Sequence, residues 1–206
     1  MQFTFEQWNP NVDIVRYLDK WKTLEEYVVH ENALHDLFSR RGEDYLSQND
    51  LMIKCSVLND FYGTNIYEVY HLVKHYSKIS NLAQRLEEPP TEQNDLVKEL
   101  RYVPVPRPAN SKRKKDTIDY YSFASKFCSH HNPELFPIYD YYVDRVLREF
   151  RNHKVMNFRN DDLLNYSKFV KNIKEFQKIY GLEKYSVKEI DMYLWQLGKE
   201  CFPIRY

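Results

Sequence analysis

Glycine is scarce in this chain: only Gly42, Gly63, Gly181 and Gly198 occur in 206 residues. Tight hairpin turns depend on backbone at positive φ, which glycine supplies without steric cost, so four glycines argue against an all-β fold. They also exclude a glycine-rich phosphate loop, since neither GxGxxG nor GxxxxGK[ST] is present. Cysteine is equally sparse. Cys55, Cys128 and Cys201 are scattered, odd in number and without CxxC spacing, which argues against a structural zinc or an iron–sulfur cluster and fits a reducing cytoplasm. No apolar run approaches membrane-span length, and MQFTFEQWNP lacks the basic-then-apolar order of a signal peptide. Net charge is missing too: 30 Lys and Arg balance 30 Asp and Glu. A nucleic-acid partner would therefore rest on local patches rather than on bulk charge. No repeat and no low-complexity segment is visible. No cofactor and no metal are expected.

What the chain has is apolar and aromatic residues at helical spacing. Apolar residues make up 43% of the sequence, with eighteen Tyr and twelve Phe, enough for a packed core with many amphipathic residues at its edge. Ile14, Tyr17 and Leu18 share one helical face, and Leu24, Tyr27, Val28, Leu34, Leu37 and Phe38 continue the pattern to Gly42. Ser47 with Asp50 opens a further helix, and IYEVYHLVKHYSKI (66–79) is amphipathic. A short helical turn is expected over 81–86, broken by Pro89–Pro90, and another helix over 91–100. YVPVPRPAN (102–110) reads as a stiff extended connector, followed by the basic run SKRKKD. Downstream, helices are expected over 118–131 and 140–150, then from Asp161 or Asp162 to Tyr180 with Gly181 as the stop. Ser186 and Glu189 form a capping box for a last helix reaching about Lys199. The expected class is all-α, with eight to ten helices in an N-terminal lobe (1–101), a proline-rich and basic connector (102–116) and a C-terminal lobe (117–206).

Chemistry is concentrated in PELFPIYDYYVDRVL (133–147), where a proline-stiffened turn delivers Asp140 to the start of a helix carrying Arg145 and Arg148. A carboxylate there either caps the helix by accepting the backbone N–H of Tyr142 or Val143, or serves as the acid or base of a site. Arg145, Arg148 and Arg151 form a slowly drifting basic stripe, read either as a phosphate contact or as a solvated face. His71 and His75 have a spacing that can chelate zinc but lack the HExxH order. His130 and His131 are helix-end charges or a base near Asp140. Cys128 beside them is a packed thiol or a nucleophile.

PIYDYYVDRVL resembles the Pro-Val-Asp-Thr-His-Val-x-Arg-Val segment of the helix-hairpin-helix DNA glycosylases, with Val143, Arg145 and Val146 on matching positions. DLMIKCSVLNDFYGTNIYEVYHLV resembles that superfamily's first-lobe helix-loop-helix, whose polar turn wedges into the base stack; Asn59, Asp60, Phe61 and Tyr62 occupy the turn here. The resemblance spans about residues 47–150. It implies a two-lobed helical fold, DNA as partner and Asp140 as the catalytic carboxylate, with Asn59, Asp60, Tyr62 and Tyr139 toward the substrate. The family's Leu-Pro-Gly-Val-Gly hairpin is absent, and the basic turn Lys112, Arg113, Lys114 and Lys115 would bind phosphate by charge in its place, alongside Arg145 and Arg148. Bifunctional members carry a lysine nucleophile eighteen residues before the aspartate. Ser122 stands there, which implies a monofunctional mode with water as nucleophile, and Lys126 is a substitute one turn on. The chain also resembles a family of uncharacterised bacterial proteins sharing segments like FCSHHNPELFPIYD and LWQLGKE.

The expected activity is cleavage of an N-glycosidic bond in DNA, of the kind used in base repair, in the cytoplasm. The rival expectations are a non-catalytic nucleic-acid-binding protein and a protein-interaction module, in both of which Asp140 is only a cap.

Overall fold

Helix ends in this protein are set by side chains at the sites the sequence marks. Ser47 Oγ accepts the N–H of Asp50 at 3.2 Å and starts α3 (Gln48–Phe61). Ser186 and Glu189 close a reciprocal capping box at the start of α10 (Val187–Cys201), at 3.2 and 2.8 Å. Gly181, at φ +61°, ends α9 (Tyr166–Ile179), a backbone angle that most residues avoid. The computed structural model describes residues 5, 8–106 and 116–203. Within them lie also α1 (Pro10–Trp21), α2 (Glu25–Ser39), α4 (Val69–Tyr76), α5 (Leu82–Arg85), α6 (Leu96–Arg101), α7 (Tyr121–His131) and α8 (Tyr141–Asn152). The fold is mostly helical, as the class expected from the sequence requires.

Several boundaries differ from the expected ones. The connector is not simply extended: β1 (Tyr102–Pro104) pairs antiparallel with β2 (Thr117–Asp119), in the register Tyr102 with Asp119 and Pro104 with Thr117. The helix expected from Ile118 therefore starts at Tyr121. Arg101 explains why. Its guanidinium grips Asp119 at 2.5 and 2.7 Å, donates to the carbonyl of Leu164 at 2.7 Å and stacks 3.8 Å over the Tyr121 ring. Asp161 and Asp162 sit in a 3-10 segment (Asn160–Leu164), and Asn165 is the true cap of α9, accepting from Lys168 N at 3.1 Å. Asp95 caps α6, so the helix expected from 91 begins at Leu96. Helix α2 stops at Ser39, before Gly42.

Packing runs across the 102–116 connector. Helix α7 lies against α2, α3 and α6, while α10 lies against both α1 and α8. Tyr17 in α1 bonds Glu200 at 3.1 Å, and Gln196 of α10 donates to the Tyr17 carbonyl at 2.9 Å. One buried cluster, from Ile14 and Tyr17 to Leu194 and Leu197, unites the two groups of helices. Among the described residues, no helix is long and apolar enough to cross a membrane.

Candidate functional site

The extended segment 137–140 is fixed residue by residue before it reaches Asp140. The Pro137 carbonyl accepts the Tyr166 hydroxyl at 2.8 Å, Ile138 N–H donates to Asp191 Oδ2 at 2.8 Å, and Tyr139 N–H donates to Ser125 Oγ at 3.0 Å. Helices α9, α10 and α7 thus each hold one residue of it. Asp140 then caps α8, its Oδ1 accepting Val143 N–H at 3.0 Å.

The same side chain lines a cleft of about 370 Å3 between α2, α3 and α7 on one side and α8 and α10 on the other. That volume falls in the range of small-molecule sites. Asp140 is therefore a helix cap through one oxygen and at the same time part of the wall of an open cleft. Aromatic side chains form much of the wall. Trp21, Tyr27 and Trp195 cluster with ring centroids 5.0–6.0 Å apart, and His30 stacks on Phe61 at 4.3 Å.

Lys126 enters from α7, 5% exposed. Its ammonium contacts Ser122 Oγ at 2.5 Å and stands 5.0 Å over the Tyr62 ring. Burial lowers its pKa, with Asp140 and Asp191 pulling the other way. Tyr62, at the end of α3, lies 3.1 Å from Glu31 Oε1 and 3.0 Å from His130 Nε2. Glu31 pairs with Lys188 of α10 at 2.6 Å, tying the two walls together. Burial raises the Glu31 carboxyl, but Lys188, His130 and Tyr62 outweigh it and hold the group below its ordinary range. His130 is lowered to about 3, by burial first and then by Lys188. A neutral His130 and an ionised Glu31 fix the hydrogen-bond order: His130 Nε2–H donates to Tyr62, whose hydroxyl donates to Glu31.

Of the residues the sequence singled out, the cleft gathers Asp140, Tyr62 and Lys126. Ser122 reaches it through Lys126. Asn59 instead closes its own turn, bonding Thr64 and both backbone groups of Ile66. Asp60 is exposed outside the cleft. Tyr139 turns away and donates to Asp144 at 3.0 Å. Arg148 is paired with Asp144 at 2.6 Å and with Asn160, and Arg145 lies over the Phe202 ring. Lys112, Arg113, Lys114 and Lys115 lie outside the described residues. His75 donates to the Glu99 carbonyl, and no cluster of three or more metal-ligand types exists among the described residues. Cys128 is free and buried, and burial raises its thiol well above the usual range, so it is no ready nucleophile.

Sequence reasoning missed Glu31, Lys188, Asp191 and Trp195. One signal was present. Asp191 follows Ile190 and precedes Tyr193 and Leu194 on the apolar stripe of α10, where an acidic residue is out of place.

A second depression, of about 390 Å3, is lined by His71, Lys74, His75, Lys78 and residues 104–106 and 116. It lacks the aromatic walls and the buried carboxyl group of the first.

The family model of the HI_0787_N N-terminal domain matches residues 13–135. An uncharacterised protein of Haemophilus influenzae is 39% identical over 181 residues, which is 87% of this chain and 77% of that protein. No solved structure matches. The family match takes in Glu31, Tyr62 and Lys126 and ends before Asp140 and Asp191.

Proposed function

The chain belongs to the bacterial family of the HI_0787_N N-terminal domain, and we propose that its cleft cleaves an N-glycosidic bond, with DNA as the substrate and water as the nucleophile. One observation carries the reading: a carboxylate anchored to a helix N-terminus borders an aromatic-walled cavity sized for a base and its sugar. Breaking the C1′–N bond leaves its electron pair on the base and positive charge on the sugar. Asp140 offsets that charge, and its cap fixes the carboxylate before the substrate arrives. A base extruded from the stack would lie between the aromatic walls, as base-modifying enzymes require. Water then adds to C1′ and loses its proton to Asp140. The likeness of PIYDYYVDRVL to the helix-hairpin-helix glycosylases supports the same assignment. The pairing of Lys126 with Ser122 suits a monofunctional mode, and three free thiols suit the cytoplasm.

The test is release of damaged or mismatched bases from duplex oligonucleotides. Asp140→Asn keeps a good cap and loses about 10²–10³-fold in rate. Equal rates for the two proteins reject the role. The cap itself favours a second reading, a cleft that binds a base without cutting; binding by both proteins with no release by either supports that one.

A further inference from the structure

Asp191 is the one carboxyl group that lines this cleft while 5% exposed. Its Oδ2 accepts the N–H of Ile138 at 2.8 Å, and its Oδ1 has no hydrogen-bond partner among the described residues. Buried polar atoms are nearly always paired, so an orphaned oxygen on a residue of the cleft wall points to a ligand atom. Among the described residues, no ammonium or guanidinium stands within ion-pair distance of it: Lys188 is taken by Glu31, and Lys126 is held by Ser122. An isolated carboxylate is costly to bury, and the group escapes that cost by taking up a proton. With Oδ2 already accepting from Ile138, the proton resides on Oδ1.

We infer that Asp191 is the general acid of the cleft, protonating the departing base through Oδ1 while Asp140 stabilises the sugar. The inference rests on the N-glycosidic reading and adds to it the substrate class, which is a neutral base with an acceptor nitrogen or oxygen. As C1′–N breaks, its electron pair moves onto the base. The Oδ1 proton passes to the base acceptor, and Asp191 is left as a carboxylate. The attacking water gives its proton to Asp140; Asp140 then loses that proton to solvent and Asp191 takes one up from solvent, which closes the cycle without an oxidant or other co-reactant.

The groups around Asp191 favour this division of labour. Burial raises its pKa well above the ordinary carboxyl range. The Ile138 N–H and Lys188 oppose that rise, and Asp140 on the adjoining segment and Glu31 on α2 add to it. Lys126 of α7 also faces the pair and feels both charges. The two carboxyl groups stand in unlike surroundings, Asp140 capped and bordering the open space and Asp191 buried without a paired cation, which suits them to different roles.

The experiment compares a neutral base with a cationic one. 7-Methylguanine carries a positive charge and leaves without help from an acid; hypoxanthine and 8-oxoguanine do not. Wild type and Asp191→Asn are assayed on duplexes containing each. The expected result is a loss of about 10²-fold or more on the neutral bases and a much smaller loss on 7-methylguanine. Equal losses on both classes overturn the acid role and leave the N-glycosidic reading standing. Release of neither class by wild type rejects that reading and the acid role with it. If Asp191→Asn does not fold, the wild-type pH profile decides. Rate on the neutral bases must fall with rising pH more steeply than on 7-methylguanine, and parallel profiles overturn the inference.

Discussion

Gly198 lies directly against Tyr142. A Cβ at position 198 would stand 2.6 Å from Tyr142 Cβ and 2.9 Å from its carbonyl oxygen. Helices α8 and α10 can cross this closely only because the residue at the contact has no side chain. The crossing brings Asp140, at the start of α8, and Asp191, on α10, to the same cavity.

Gly198→Ala should therefore destabilise the fold by about 1–3 kcal/mol, the usual range for forcing atoms into a packed interface, even though alanine is the better helix former. Urea denaturation measures it. A stability equal to or above wild type would show that α8 and α10 can part without cost.

Acid should weaken the protein early. His130 is held at about 3 against an unfolded value near 6.5, and His131 is also lowered by burial. Between those values the unfolded chain takes up the proton and the folded one does not. The histidine contribution is thus full above pH 6.5 and falls as pH drops below it, by up to about 1.4 kcal/mol per pH unit for each histidine, while Asp191, raised by burial, opposes about one histidine's share. Glu31, held low by Lys188, adds in the same direction at more acid pH. Denaturation midpoints at pH 7.5 and 5 check this, and His130→Gln should flatten the slope.

Arg101 is 7% exposed and ties the base of the strand pair to Leu164. Arg101→Lys keeps the charge but loses the two-pronged grip on Asp119 and the stacking on Tyr121. A cost of about 1–2 kcal/mol is expected, since Arg101 is buried but Asp119 is 43% exposed. Thermal unfolding measures it, and a change below half a kcal/mol would mean that Asp119 and the Leu164 carbonyl need no guanidinium.

Trp21 and Trp195 border the cleft, whereas Trp8 packs on Phe150 away from it. A base entering the cleft should quench tryptophan emission. Trp195→Ala should remove most of that quenching and weaken binding by about 1–3 kcal/mol, the worth of one base–aromatic stack. Titration with free hypoxanthine reads both effects.

Local chemistry was legible in the sequence and distant pairing was not. Ser47, Ser186 and Asp140 announced their caps because each acts on a backbone N–H three residues away. Asp161 and Asp162 misled for the same reason. They suit a helix start, but Asp162 accepts from Arg159 N at 2.7 Å and closes a tighter turn one step too soon. Lys126 and Tyr62 are brought toward the site by the glycosylase resemblance alone. Asp191 and Ile138 are 53 positions apart, and no periodicity links them. Lys188 and Glu31 meet only because α2 and α10 face each other. Arg148 reads as part of a basic stripe, but Asp144 one turn away and Asn160 at the start of the 3-10 segment both hold it.

The contact of α1 with α10 also bears on the order of events at the ribosome. Helix α1 emerges well before α10, and Asp191, Trp195 and Lys199 arrive only with α10. A nascent chain exposes Tyr17 until α10 has been made, so premature termination within α10 should yield an aggregation-prone polypeptide with no binding cavity, rather than a weakened version of the whole.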